Sequence, residues 1–184
     1  MKMNQKYPAS PIFDRDISGL KFFQKGVVVF DRDSTLIEDA GQHNKAEMIN
    51  FLPGAIEAVK IIANFGYGIA IASNQAGLES KKFSLSQLMH FNNELKRIIK
   101  EQIQVDIDLI VVCPHLESTN CLCRKPKVGL LQAIANSGLG DVKVFIGDSE
   151  SDKLAARDFG VEFLHADGTD LSSNVRNWFG VKCA

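Results

Sequence analysis

The feature that most constrains this chain is a set of three short apolar runs, each of which stops abruptly at polar residues. Val27–Phe30 ends in Asp31-Arg32-Asp33-Ser34-Thr35, Ile69–Ala72 ends in Ser73-Asn74, and Val142–Ile146 ends in Gly147-Asp148. Runs of this length and β-branched content read as buried strands. In an open α/β sheet, ligands bind beyond the carboxyl ends of the strands, so three such runs would deliver their polar groups to one crevice. A strand end followed by a simple turn explains any one of them. It does not explain all three.

Between and after these runs the period changes to that of helices. Ile56, Val59, Ile62 and Ala63 share a face that closes at Gly66-Tyr67-Gly68, with Pro53 suited to the first turn. Leu85, Leu88, Met89, Phe91, Leu95, Ile98 and Ile99 define the longest helix, from the cap Ser84 to about Gln102, with Met89 and Phe91 as core. Val105–Val112 reads as a strand, Val128–Asn136 as a helix, Ser151–Phe159 as a helix stopped by Gly160, Val161–Leu164 as a strand and Ser172–Phe179 as a last helix. The alternation predicts an α/β fold, a Rossmann-like three-layer sandwich with a mostly parallel central sheet. The segment Glu38–Asn50 reads as a short flap, too short for a cap domain.

Residues 1–24, broken by Pro8 and Pro11, read as an N-terminal extension outside the core, and 25–184 as a single domain. Within the extension, Phe13-Asp14-Arg15-Asp16 repeats Phe30-Asp31-Arg32-Asp33. Only the second tetrad follows a strand-like run, so the first reads as a solvated coincidence.

A length of 184 residues suits one domain with a full core. A net charge of −1 supplies no basic field for nucleic acid or an anionic membrane. The absence of a long apolar stretch, and of an apolar core near Met1, leads to the expectation of a cytoplasmic protein. Of four cysteines, Cys113, Cys121 and Cys123 crowd together with His115, and Cys183 stands apart. That spacing suits a closed tetrahedral site for structural Zn²⁺ before it suits disulfides.

Asp31, Asp33 and Asp148 are hard oxygen donors of the kind Mg²⁺ uses, and a divalent cation would relieve their repulsion. In order, Asp31-Arg32-Asp33-Ser34-Thr35, Ser73-Asn74, Lys125 and Gly147-Asp148 resemble the four motifs of the haloacid dehalogenase superfamily of phosphotransferases. Ser73-Asn74-Gln75-Ala76-Gly77 and the stretch from Cys113-Pro114-His115 through Cys121-Leu122-Cys123-Arg124-Lys125-Pro126 are similar to the branch containing heptose bisphosphate phosphatase and the histidinol-phosphate phosphatase domain.

The resemblance implies an aspartyl-phosphate mechanism. Asp31 is then the nucleophile and a Mg²⁺ ligand, and Asp33 the acid and base, holding the metal through its carbonyl. Lys125 neutralises charge, Ser73, Asn74, Gln75 and Arg124 bind substrate, Asp148 completes the Mg²⁺ site and Asp152 supports it. The Zn²⁺ loop would fix Arg124 and Lys125 over the phosphate. Lys81 or Lys82 is a candidate contact for a second phosphate.

Two departures stand out: Ser34 where relatives generally carry Gly, and Ser149 where they often carry Lys or Arg. The expected partner is a small soluble phosphate ester. A sugar bisphosphate suits the stand-alone chain and the basic residues Arg124, Lys125 and Lys127. Histidinol phosphate suits the five residues between His115 and Cys121, and a zinc-stabilised phosphate-binding module without catalysis is the reading of another class.

Overall fold

The computed structural model describes residues 10–39 and 44–180. The expectations for Pro8, for part of the flap and for Cys183 lie outside the described residues. Six strands form one sheet: β1 (Ile12–Phe13), β2 (Val27–Phe30), β3 (Gly68–Asn74), β4 (Leu109–Cys113), β5 (Val142–Gly147) and β6 (Glu162–His165). Among the described residues, five α-helices accompany them: α1 (Ala55–Asn64), α2 (Leu85–Ile103), α3 (Gly129–Ala135), α4 (Glu150–Phe159) and α5 (Leu171–Trp178).

The spatial order is β1-β4-β3-β2-β5-β6, parallel throughout except for β1. The chain leaves β2 towards β3 and β4, then returns to β5 on the opposite side. That reversal at β2 creates the crevice in which such sheets bind ligands, and Asp31 stands at its mouth.

Strand alternation divides the core between two faces. Val28, Phe30, Ile69, Ile71, Ile110, Val112, Val144 and Ile146 pack with α1, α2 and α5. Val27, Val29, Ala70, Ala72, Leu109, Val111, Val142 and Phe145 pack with α3 and α4. Both faces are covered at the centre of the sheet, so β2 and β4 are apolar along their length, as parallel strands buried on both sides must be.

Two boundaries moved for physical reasons. The strand expected from Val105 begins at Leu109, because Asp108 stops the ladder: its N–H donates to the Ile69 carbonyl and its Oδ2 accepts from the Ile69 N–H. Strand β3 runs on through Ser73 and Asn74, which pair in register with Val112 and Cys113.

The described part of the expected extension, residues 10–24, packs against the core. Phe13, Ile17, Leu20 and Phe23 pack on the face shared with α3 and α4, and β1 extends the sheet antiparallel to β4. Asp14 continues that edge. Its N–H donates to Ile110 O, its Oδ1 accepts from Ile110 N, and its Oδ2 pairs with Lys96 at 2.7 Å. Asp16 fits the expectation better, lying exposed in a local turn with Ser18. The repeated tetrad is therefore half solvated turn and half edge clasp.

Candidate active site

Asp31 follows β2 directly, its N–H donating to Ile146 O on β5. This places its carboxylate where β2 and β5 both end. Lys125 reaches it from the loop after the cysteine cluster, with Nζ 2.7 Å from Asp31 Oδ1, 2.6 Å from Asp152 Oδ1 and 2.9 Å from Ala72 O. The ammonium is 4% exposed and lies over the Phe145 ring. Burial works against its charge, but Asp31 and Asp152 outweigh it and hold its pKa above the usual lysine value.

The acids shift upward as well, which for them favours the neutral form. Burial pushes Asp31 up to about 7, against the attraction of Lys125 and with repulsion from Asp152 and Asp33 added. Burial also raises Asp148, with Asp152 next in effect. Oxygens of Asp31, Asp148 and Asp152 lie within 4.8 Å of one another. One lysine does not neutralise this group, and its hard oxygen donors fit a divalent cation of the Mg²⁺ type.

Within the group, Asp152 has other duties. Its Oδ1 is on Lys125, while its Oδ2 accepts from Ser149 N and Oγ in a reciprocal cap of α4. Ser149, one of the two departures, thus serves as the N-cap of α4. Thr35 Oγ1 donates to Asp148 Oδ1 at 3.2 Å, orienting the remaining acid. Ser34, the other departure, has φ 58, in the left-handed region that favours glycine.

The Asp33 carboxylate accepts from Arg32, Gln75 and Ser73. Gln75 lines the cleft, its amide nitrogen donating to Asp33 Oδ2 and Ser73 Oγ, both at 2.8 Å, and its oxygen accepting from Asn44. Asn74 lines it too. Its side chain clasps the backbone of Lys125, Oδ1 accepting from Lys125 N at 3.1 Å and Nδ2 donating to Lys125 O at 3.2 Å. The second and third motifs are thereby joined side chain to main chain.

These residues line a cleft of about 340 Å³, with Ser34, Asp39, Ala76, Gly77, Phe83, Arg124, Ser149 and Ser151 completing its wall. Lys81 and Lys82 are exposed and are not among the lining residues. Lys127 does not join the basic group either, because its Nζ donates to Asn120 O and Oδ1 and to Cys121 O.

Beside the cleft, Cys113, His115, Cys121 and Cys123 converge. The Sγ and Nδ1 atoms stand 3.3–3.6 Å apart along five edges of a tetrahedron. Tetrahedral zinc, with sulfur at about 2.3 Å and nitrogen at about 2.0 Å, would set the sulfur–sulfur edges at about 3.8 Å and the sulfur–nitrogen edges at about 3.5 Å. The cluster is compatible with a structural zinc site, with all four donors supplied by the protein. The hydrogen bond with Cys123, and then burial, disfavour a free thiolate at Cys113, a cost that a bound cation removes. Arg124 Nη1 donates to His115 O, and Glu79 accepts from Leu116 N and Thr119 Oγ1. Both walls of the cleft are therefore tied to this loop.

Sequence reasoning passed over Arg32. It is fully buried, paired with Asp33 at 3.0 Å, donating to Asn92 Oδ1 and lying over the Phe91 ring. A cation between two acids at a strand exit was the available signal.

Residues 26–168 match the family model described as polynucleotide kinase 3 phosphatase. The histidine biosynthesis bifunctional protein HisB of Campylobacter jejuni is 34% identical over 75% of this chain, and the chain spans 40% of that relative's length. D-glycero-beta-D-manno-heptose-1,7-bisphosphate 7-phosphatase of Pseudomonas putida is 34% identical over 74% of this chain and 79% of its own. Among solved structures, D,D-heptose 1.7-bisphosphate phosphatase from B. bronchiseptica, complexed with magnesium and phosphate, shares the fold with a TM-score of 0.76 at 23% identity, covering 85% of this chain and 99% of that one. The chain belongs to the polynucleotide kinase 3 phosphatase family, in the haloacid dehalogenase branch of the heptose bisphosphate and histidinol-phosphate phosphatases.

Proposed function

We propose that this chain is a Mg²⁺-dependent phosphomonoesterase that cleaves a small phosphate ester through an aspartyl-phosphate. One observation carries the reading: the Lys125 ammonium lodged between Asp31 and Asp152 at the strand exit, with Asp148 beside them. A nucleophilic carboxylate must meet a phosphate of the same sign, and a fixed cation at the point of attack lowers that barrier.

In this reading an Asp31 oxygen attacks phosphorus while Asp33 protonates the departing alkoxide. Asp33 then takes a proton from the water that hydrolyses the acyl phosphate. Ser73 and Arg124 donate to the phosphoryl oxygens, and Lys125 holds the charge that accumulates on them. Asn74 and Gln75 act one step removed, the first on Lys125 and the second on Asp33. Asp31, Asp148 and the Asp33 carbonyl would hold a Mg²⁺ ion, which would supply the charge neutralisation that two approaching anions need. The cysteine and histidine site keeps Arg124 and Lys125 in place.

The substrate assigned to this site is a sugar bisphosphate of the heptose type, supported by the Pseudomonas putida relative, of whose length the chain covers most. Histidinol phosphate is the second reading, supported by the Campylobacter jejuni relative and by the five residues between His115 and Cys121. No described helix is long and apolar enough to cross a membrane, which supports action on a small soluble ester in the cytoplasm. A kinetic panel with Mg²⁺ tests the assignment. Heptose 1,7-bisphosphate should give the highest kcat/KM, and a higher value for histidinol phosphate would reverse the order.

A further inference from the structure

Arg32 lies between the two acids of the site, yet its side chain leaves the cleft altogether. It is 0% exposed, with Nε and Nη2 each 3.2 Å from an oxygen of Asp33, Nη1 3.2 Å from Asn92 Oδ1, and the guanidinium 4.5 Å from the Phe91 ring centroid. Phe91 and Asn92 are buried residues of α2, the longest helix. The guanidinium therefore bridges the helical layer and one carboxylate of the cleft.

Stability alone explains this poorly. Burying a guanidinium is costly, and a buried ion pair often stabilises no more than apolar side chains of the same volume. Its geometric effect is specific, because a planar fork contacting both oxygens fixes a carboxylate in rotation as well as position. On the opposite side, Gln75 Nε2 at 2.8 Å and Ser73 Oγ at 3.4 Å contact Asp33 Oδ2. The carboxylate is gripped from two directions, and among the described residues Arg32 is its hydrogen-bonded link to α2.

We infer that Arg32 is a positioning residue for Asp33, holding that carboxyl in register with the oxygen of the departing alcohol. The inference rests on the acid and base role proposed above for Asp33. In the step concerned, the bond from phosphorus to the ester oxygen breaks as an Asp31 oxygen bonds to phosphorus. The proton carried by Asp33 moves to the departing oxygen. A misplaced Asp33 should hurt alcohols that cannot leave as anions and spare phenolates that can.

The test compares kcat/KM for an alkyl phosphate, glycerol 3-phosphate, and for p-nitrophenyl phosphate in wild type, Arg32→Met and Asp33→Asn. Arg32→Met should lose about tenfold more on the alkyl than on the aryl ester, with the affinity for inorganic phosphate unchanged. Arg32→Lys, which keeps the charge but not the fork, should recover part of the difference. Should Arg32→Met fail to fold, Asn92→Ala removes the anchor on α2 and should show the same selectivity with smaller amplitude. Equal losses on both esters, or none, would overturn the inference. Asp33→Asn separates the two levels: selectivity there but not at position 32 defeats the positioning role alone, and its absence at Asp33 defeats both.

Discussion

At the scale of single residues, the site is governed by charges that burial makes interdependent. Lys125 has almost no exposed surface and holds Asp31 and Asp152 together. Replacing it by Met would leave two acids facing each other without a cation, and breaking a buried pair by removing one partner typically costs about 3–5 kcal/mol. Lys125→Met should therefore lower the urea midpoint clearly as well as abolish turnover; an unchanged midpoint would mean that the acids find another partner. Asp31, Lys125 and Asp148 were legible in the sequence because each ends an apolar run or follows a motif. The partners of Asn74, Gln75 and Arg32 were not, since side-chain amides and a guanidinium meet groups distant in sequence: Lys125, Asp33 and Asn92 respectively.

Among the elements, the loop from Cys113 to Lys125 connects metal chemistry to catalysis. Arg124 is tied to His115 on one side, and Glu79 is tied to Leu116 and Thr119 on the other. Cys121→Ser should reduce bound zinc, measured by elemental analysis, and make the loop sensitive to protease. kcat should fall although Asp31 is intact; full turnover in a zinc-free variant would separate the two sites. At α4, Ser149 and Asp152 form a capping box. Ser149→Ala should cost about 1 kcal/mol in chemical denaturation, and no change would show that the cap is replaced by solvent. The helices were readable from period and caps, Ser84 being a clear example, while its reciprocal partner Gln87 emerged from the structure. The strand boundary at Leu109 was hidden, because the Asp108 interaction with Ile69 depends on pairing between strands rather than on local pattern.

For the molecule as a whole, one sheet brings the ends of β2, β3 and β5 to the same crevice, and the order of its strands explains why motifs far apart in sequence converge. The parallel interior was apparent from its apolar runs. The antiparallel edge was not, because a two-residue strand carries no period, and Asp14 looked solvated until Lys96 and Ile110 were placed beside it. Removal of residues 1–24 should lower Tm and promote association by uncovering β4, since unpaired edges template pairing with other chains; an unchanged Tm and a monodisperse profile in size-exclusion chromatography would contradict that role. The central claim is nucleophilic chemistry at Asp31, and phosphate release from p-nitrophenyl phosphate with Mg²⁺ tests it most directly. Wild type should turn over, with Asp31→Asn slower by at least about a thousandfold. Equal rates in the two proteins, or no release by wild type from this or any ester of a broad panel, would contradict it.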